Sequence, residues 1–98
     1  MLDELLQLDI ALLVNNVGMS EPHILHQTGY QLIVDTITVN CTSMAVLSSD
    51  LLAKMNGRPQ KSAVVNLSSF MNEIPLPYCS LYAGSKGFNR NLTESISL

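Results

Sequence analysis

The sequence predicts an α/β fold built around two neighbouring parallel strands that a long helix connects. Two short and mostly apolar runs, residues 10–16 and 63–67, are typical of strands buried on both faces of a parallel sheet. Between them, the apolar residues of segment 31–55 recur at a helical spacing. Strand, helix and strand form one βαβ unit, whose crossover is right-handed in nearly all proteins.

Local signals predict the other elements of the first half. Apolar residues in segment 1–8 have the spacing of the end of a helix, and segment 19–29, with a proline and a glycine, predicts a loop. The β-branched run 36–39 weakens the long helix just before Asn40. The Asn-Gly-Arg-Pro segment at 56–59 ends that helix, with glycine at the C-cap side and proline just beyond.

A loop and a last helix follow the second strand. Pro75 and Pro77 bracket the loop, and the helix is predicted over residues 80–95. Gly84 and Gly87 each cost a helix about 1 kcal/mol relative to alanine. We therefore expect these two glycines to permit the close approach of another backbone or of a ligand.

Composition and charge exclude several classes of function. The net charge of −3 provides no basic face for nucleic acid or for an anionic membrane surface. The longest strongly apolar stretch, residues 10–14, is far shorter than the ~20 residues of a membrane span. Cys41 and Cys79 lack the spacing of a metal site or a disulfide framework, and His23 and His26 have no third ligand beside them. We expect reduced thiols, no metal, no nucleic-acid partner and no membrane span in this chain.

A tyrosine and a lysine in the last helix form the main candidate site. Tyr82 and Lys86 are four residues apart, so a helix places them on one face with the ammonium beside the phenol. A tyrosine hydroxyl ordinarily titrates near pH ~10, and a neighbouring cation favours its phenolate. Ser69, 13 positions before Tyr82, could hydrogen-bond the same substrate oxygen. The alternative is a tyrosine and a lysine on a solvated helix without a chemical role.

The ends of both predicted strands carry polar residues that meet at the same edge of the sheet. Asn15 follows the first apolar run, and Ser68 and Ser69 follow the second. Ligands of open parallel sheets bind at the carboxyl ends of the strands. Because Tyr82 begins the next helix, we expect all these residues to face one crevice.

In this order, the motifs resemble those of the short-chain dehydrogenase/reductase family. They are the Asn-Asn-Val-Gly turn at 15–18, Asn40 in Thr-Val-Asn, the Ser68-Ser69 pair, and Tyr82 with Lys86. The form Asn-Asn-Val-Gly-Met-Ser, with valine where most of the family has alanine, is similar to one branch. That branch contains the 17β-hydroxysteroid dehydrogenases and the very-long-chain 3-oxoacyl-CoA reductases. The resemblance implies a doubly wound, Rossmann-like parallel sheet, of which this chain would supply one βαβ unit and the catalytic helix.

The resemblance implies roles for the residues of the last helix and second strand. Tyr82 would protonate the carbonyl oxygen as hydride arrives from the nicotinamide. Lys86 would favour the phenolate and hydrogen-bond the nicotinamide ribose. Ser69, rather than Ser68, matches the spacing of the serine that holds the substrate oxygen. The alternative is a pair of strand-end hydroxyls that satisfy only local backbone groups.

Residues of the first strand and of the long helix also match the family. Asn40 corresponds to an asparagine whose backbone carbonyl holds a water that connects the lysine to solvent; alternatively, it only bends the helix. Asn15, Val17 and Gly18 correspond to the turn that lies along the cofactor. Alternatively, that turn only stabilises the sheet.

Several parts of a complete enzyme of this family have no counterpart in the sequence. The five glycines form no Gly-rich phosphate-binding cluster after a strand, and a complete domain needs roughly 250 residues against the 98 here. The hydrophobic share of 47% and mean hydropathy of +0.25 suit a segment of a larger core. We therefore expect residues 1–98 to be a central catalytic segment that lacks the N-terminal cofactor loop and the C-terminal substrate region, and to be inactive in isolation.

The function that the resemblance implies is reduction of a keto group by NADP, with NAD possible. The substrate would be lipid-like, either a steroid or a long-chain 3-oxoacyl-CoA. The branch further implies residence in the endoplasmic reticulum and a homo-oligomer of the full-length protein. The alternative is a truncated, inactive relative that serves as an interaction module or does not fold alone.

Overall fold

The computed structural model describes residues 2–74 and 76–96 as one α/β arrangement. Met1, which begins the predicted helix 1–8, lies outside the described residues. Pro75, which belongs to the predicted proline loop, lies outside them as well. In chain order, the helices and strands are α1 (Leu2–Leu5), β1 (Leu12–Asn15), α2 (Tyr30–Ile37), α3 (Ser43–Met55), β2 (Ala63–Asn66) and α4 (Ser80–Ile96). A π-helical turn (Thr38–Thr42) joins α2 to α3, and short 3₁₀ turns cover Leu25–Gln27 and Phe70–Asn72.

β1 and β2 pair in parallel, as the βαβ pattern predicts. Their register places Leu12 opposite Ala63 and Asn15 opposite Asn66. The Leu67 N–H extends the pairing by donating to the Asn15 carbonyl at 3.0 Å. Each strand has four residues, so the regular pairing is shorter than the predicted apolar runs.

The described helices cover only one face of this sheet. The Asn15 side chain is buried against them, whereas Leu12 and Val14, which point to the opposite face, remain 57% and 50% exposed. The described residues measure 49 × 27 × 15 Å. The smallest dimension, 15 Å, is the thickness of a sheet with one layer of helices. The expectation of strands buried on both faces is therefore not met within the described residues, because no described element packs on the second face.

The long helix is nearly continuous from Tyr30 to Met55, but it widens in the middle. In the π turn, the Ser43 N–H donates to the Thr38 carbonyl five residues earlier. The turn begins within the β-branched run 36–39 that the sequence marks as weak, and it contains Asn40. Tyr30–Met55 is also long and apolar enough, with a mean hydropathy of 1.3 in its most apolar part, to cross a membrane by length and composition alone. Core helices of globular proteins have the same length and composition.

The ends of the helices differ in detail from the predicted signals. The Asn56 C-cap of α3 is right-handed, and no glycine among the described residues has a positive φ, so Gly57 is not a left-handed cap. Tyr78, just before α4, has a φ of 64°, a conformation that side chains with a Cβ rarely adopt. A Cβ on Gly84 or Gly87 would meet nothing within 4 Å, so the expected close approach is not present among the described residues.

Candidate active site

The candidate site is a cleft at the carboxyl ends of β1 and β2, beside the first turns of α4. Its volume is about 280 Å³. The turn after β1, the end of β2 and the start of α4 each contribute to its walls. The lining residues are Asn16, Gly18, Met19, Ser20, Leu67, Ser68, Tyr82 and Lys86. The structure thus brings the predicted tyrosine, lysine and glycine turn together at one edge of the sheet.

Lys86 is a buried cation that lies against the candidate acid. Its residue is 4% exposed, and its Nζ donates to the Leu67 carbonyl at 3.1 Å. The same Nζ lies 5.6 Å from the centre of the Tyr82 ring, within the range of a cation–π contact. The four-residue spacing therefore produces the predicted arrangement of ammonium beside phenol.

Gly18 allows the turn after β1 to approach this ammonium. A Cβ built at Gly18 would lie 3.3 Å from Lys86 Nζ and 3.7 Å from Asn40 Oδ1. Any larger residue would push the ammonium outward by a few tenths of an ångström. Val17, the preceding residue, is 66% exposed and leaves the turn open to a ligand.

Asn40 ties the turn after β1 to α4 through its side chain. Its Oδ1 accepts the Met19 N–H at 2.8 Å, and its Nδ2 donates to the Met19 carbonyl and to Ser85 Oγ, both at 2.9 Å. Ser85 Oγ in turn donates to the Tyr82 carbonyl at 2.7 Å. Asn40 is 0% exposed, and its bond to Ser85 is fully buried, whereas the two to Met19 are partly buried. Sequence reasoning assigned a role only to the backbone carbonyl of Asn40 and missed this clamp by the side chain.

The two serines after β2 use their hydroxyl groups differently. Ser68 Oγ donates to the Lys86 carbonyl at 2.8 Å and accepts from Asn72 Nδ2 at 2.7 Å. Ser69 Oγ accepts the Met71 N–H at 3.3 Å, a cap that uses a lone pair and not the O–H group. Ser68 lines the cleft, and Ser69 is not among the described lining residues. Both hydroxyls satisfy local groups, and the role of Ser69 toward a substrate stays a prediction.

Asn15 directs its side chain away from the cleft. Its Nδ2 donates to Asn66 Oδ1 at 2.7 Å and to Ser48 Oγ at 3.3 Å. It is 8% exposed, and both partners belong to the interface between sheet and helices. The side chain thus has the sheet-stabilising role that the sequence left open, and a cofactor contact at this position would have to come from the backbone.

The two cysteine thiols form no disulfide with each other. Cys41 and Cys79 are both free, and Cys41 is buried. Burial raises the pKa of the Cys41 thiol, and the charge of Lys86 partly opposes that effect. Cys41 is therefore a protonated core residue at neutral pH. Within residues 2–74 and 76–96, no three His, Cys, Asp or Glu side chains group together in a way that could hold a metal ion.

Comparison with known proteins identifies the family. The sequence model of the short chain dehydrogenase family matches residues 2–98. The chain is 31% identical over 92 residues to a very-long-chain 3-oxoacyl-CoA reductase of Neurospora crassa, covering 92% of this chain and 27% of that protein. It is 35% identical over 95 residues to the reductase of the same name from Schizosaccharomyces pombe, covering 89% of this chain and 28% of that protein. A putative steroid dehydrogenase 4 of Caenorhabditis elegans is 30% identical over 92 residues, covering 90% and 35%.

Solved structures agree with this assignment. A 4-hydroxyisoleucine dehydrogenase complexed with NADH and succinate superimposes with a TM-score of 0.86 at 22% identity, covering 96% of this chain and 44% of that one. A gluconate 5-dehydrogenase from Burkholderia cenocepacia in complex with NADP and tartrate gives 0.83 at 25% identity, covering 89% and 34%. The chain belongs to the short-chain dehydrogenase family of oxidoreductases and has its Rossmann fold in part. It spans about a third or less of the length of the curated relatives named above.

Proposed function

We propose that this chain is the central catalytic segment of an NADP-dependent reductase that converts a keto group of a lipid-like substrate to an alcohol. The observation that carries the proposal is the buried Lys86 ammonium, held 5.6 Å from the centre of the Tyr82 ring in a cleft at the strand ends. A buried cation is costly unless it is paired and used. A cation close to the ring of a tyrosine can stabilise negative charge that develops on the phenol oxygen, which suits a general acid for carbonyl reduction.

The residues present fit a nicotinamide cofactor on the side of the β1 turn. Gly18 keeps that side of the ammonium free of a Cβ, and only one of the three N–H donors of Lys86 is needed for the Leu67 carbonyl. When bound, the cofactor supplies the hydride. Tyr82 donates the proton to the substrate oxygen, Lys86 favours the resulting phenolate, and Ser69 donates its O–H to the same oxygen.

The proposed substrate class is a long-chain 3-oxoacyl-CoA or a steroid. A very-long-chain 3-oxoacyl-CoA reductase and a putative steroid dehydrogenase both match along nearly all of this chain. The loop that follows Ser69 presents exposed apolar side chains, with Phe70 67%, Ile74 64% and Tyr78 61% exposed. Exposed apolar side chains so close in sequence to Ser69 and Tyr82 suit contact with an apolar substrate. The choice of NADP over NAD rests on the resemblance to the branch, and solved relatives bind either one.

The proposal that this chain is a segment of a larger catalytic domain rests on the sheet. Neither edge of the two-stranded sheet pairs with a third strand among the described residues. Its second face exposes Leu12, Val14 and Val65, which a doubly wound fold would cover. We expect a polypeptide of residues 1–98 alone to show no NADPH-dependent turnover, because the contacts of a Gly-rich loop with the pyrophosphate are missing.

Two further properties of the whole protein belong to the same proposal. An apolar groove of about 530 Å³ between the long helix and α4, with Ile37, Ala45, Leu81 and Phe88 in its walls, supports a homo-oligomer. Residence in the endoplasmic reticulum rests on the resemblance to the branch alone. Sedimentation of the complete gene product and fractionation of cells test these two points.

The decisive test is a substrate panel. The complete gene product is incubated with NADPH or NADH and either long-chain 3-oxoacyl-CoA esters or 17-ketosteroids, and alcohol formation is measured. We expect turnover with one of the two ketone classes and a preference for NADPH. Binding of neither cofactor, with a stable fold, would favour the alternative of an inactive interaction module.

A further inference from the structure

A chain of hydrogen-bonded polar side chains crosses the sheet just below the strand ends; Asn15 and Ser48 are buried, and Asn66 and Thr93 are half-buried. Asn15 and Asn66 lie opposite each other in the parallel register, and Asn15 Nδ2 donates to Asn66 Oδ1 at 2.7 Å. On one side, Asn15 also donates to Ser48 Oγ of α3. On the other side, Asn66 Nδ2 donates to Thr93 Oγ1 of α4 at 2.9 Å. This polar chain joins α3, β1, β2 and α4.

This polar chain requires a carboxamide side chain at position 66. The side chain there must accept from Asn15 and donate to Thr93 at the same time, and an amide provides both an acceptor oxygen and a donor nitrogen. The Thr93 hydroxyl, which accepts this bond, donates to the Asn89 carbonyl at 2.7 Å. An apolar residue at position 66 would leave a buried donor of Asn15 without its partner.

The polar chain ends next to the group that holds the catalytic lysine. Leu67 directly follows Asn66, and its carbonyl accepts from Lys86 Nζ at 3.1 Å and from Asn89 Nδ2 at 3.5 Å. Lys86, Asn89 and Thr93 share one face of α4. The hydrogen bond from Asn66 to Thr93 therefore fixes this face of α4 against the end of β2. Asn66 is one residue before Leu67, whose carbonyl accepts from the Lys86 ammonium.

We propose that Asn66 is a positioning residue, which acts with Thr93 to hold the Leu67 carbonyl against the Lys86 ammonium. Asn66 is not among the residues that line the cleft, and it acts through Leu67, which is. Its effect on catalysis rests on the proposed function, whereas its effect on Lys86 does not. The test below is chosen so that the two can fail separately.

The test measures acylation of lysines in the complete gene product by an amine-selective ester, with mass spectrometry of each site. Lys86 is 4% exposed and must leave Leu67 to react, whereas Lys61 is exposed and serves as the internal reference. We expect Thr93→Val, which keeps the shape but removes the hydroxyl, to raise the ratio of Lys86 to Lys61 labelling about tenfold, because it removes both the acceptor of the Asn66 bond and the donor to the Asn89 carbonyl. Asn66→Leu should raise it further.

Two controls separate positioning from general loosening of the fold. Thr93→Ser keeps the hydroxyl and should keep the native ratio, as should Asn91→Ala at an exposed position of the same helix. Labelling of the buried Cys41 thiol in the same samples reports global opening. An unchanged Lys86 ratio in Thr93→Val, or a rise matched by Cys41, would overturn the proposal.

Catalysis gives a second and separate readout. If the proposed function holds, Thr93→Val should lower kcat several-fold with a smaller effect on KM, and Thr93→Ser should restore it. A normal kcat in Thr93→Val, together with a raised labelling ratio, would refute the catalytic consequence. If the complete gene product has no reductase activity at all, the labelling result still decides whether Asn66 positions Lys86.

Discussion

Replacement of Tyr82 by phenylalanine isolates the proposed general acid. The ring remains, so its cation–π contact with Lys86 at 5.6 Å is kept, and the Leu67 carbonyl still holds the ammonium. We therefore expect the cofactor Kd to change by less than about threefold. The hydroxyl is lost, and a general acid contributes ~10²–10⁴-fold to rate, which is about 3–5.5 kcal/mol of activation free energy.

The assay combines cofactor binding with single-turnover reduction in the complete gene product. Tyr30→Phe is the matched control, because Tyr30 is 81% exposed and lies outside the cleft. It should retain both the native Kd and the native rate. A Tyr82→Phe variant that reduces the ketone within threefold of the native rate would remove Tyr82 from the mechanism and refute the reasoning from the cleft.

Three further substitutions probe the same site in the complete gene product. Lys86→Ala should weaken cofactor binding as well as turnover, because it removes a hydrogen-bond donor and the buried charge; titration with NADPH checks this, and an unchanged Kd would count against a ribose contact. Gly18→Ala should lower the single-turnover rate about tenfold, since its Cβ would lie 3.3 Å from Lys86 Nζ and displace the ammonium; a native rate would show that the ammonium tolerates the shift. Asn40→Ala should lower the free energy of unfolding by about 2–4 kcal/mol, because it removes one buried hydrogen bond to Ser85 and two part-buried ones to Met19; denaturant melts with Asn91→Ala as control test this, and equal stability of the two variants would contradict it.

The main helices and strands and the pairing of Tyr82 with Lys86 could be predicted, because they depend on the spacing of residues that are close in sequence. Apolar runs identify β1 and β2, a helical period identifies the segment from Tyr30 to Met55, and a four-residue spacing places Lys86 beside Tyr82. These signals lie within a few residues of one another. The β-branched run before Asn40 likewise predicts a weak point of the helix, which the structure shows as a π turn.

What could not be predicted depends on contacts between distant segments. Asn66 gave no signal in the sequence, because its role arises only when the parallel register brings it opposite Asn15, 51 residues away. The clamp of Asn40 on Met19 likewise spans 21 residues and depends on how the turn after β1 folds back. The positive φ of Tyr78 had no local signal either, since glycine or asparagine normally occupies such positions.

The most direct test of the central claim is to follow the hydride. The complete gene product is given NADPH deuterated at the transferable position of the nicotinamide, together with a long-chain 3-oxoacyl-CoA or a 17-ketosteroid, and the alcohol is analysed by mass spectrometry. The proposed function predicts an alcohol that carries deuterium on its carbinol carbon, formed at least ~10²-fold more slowly by the Tyr82→Phe variant. An alcohol without deuterium, or no alcohol from either substrate class while NADPH is bound, would contradict the claim that the cleft of Tyr82 and Lys86 reduces a ketone.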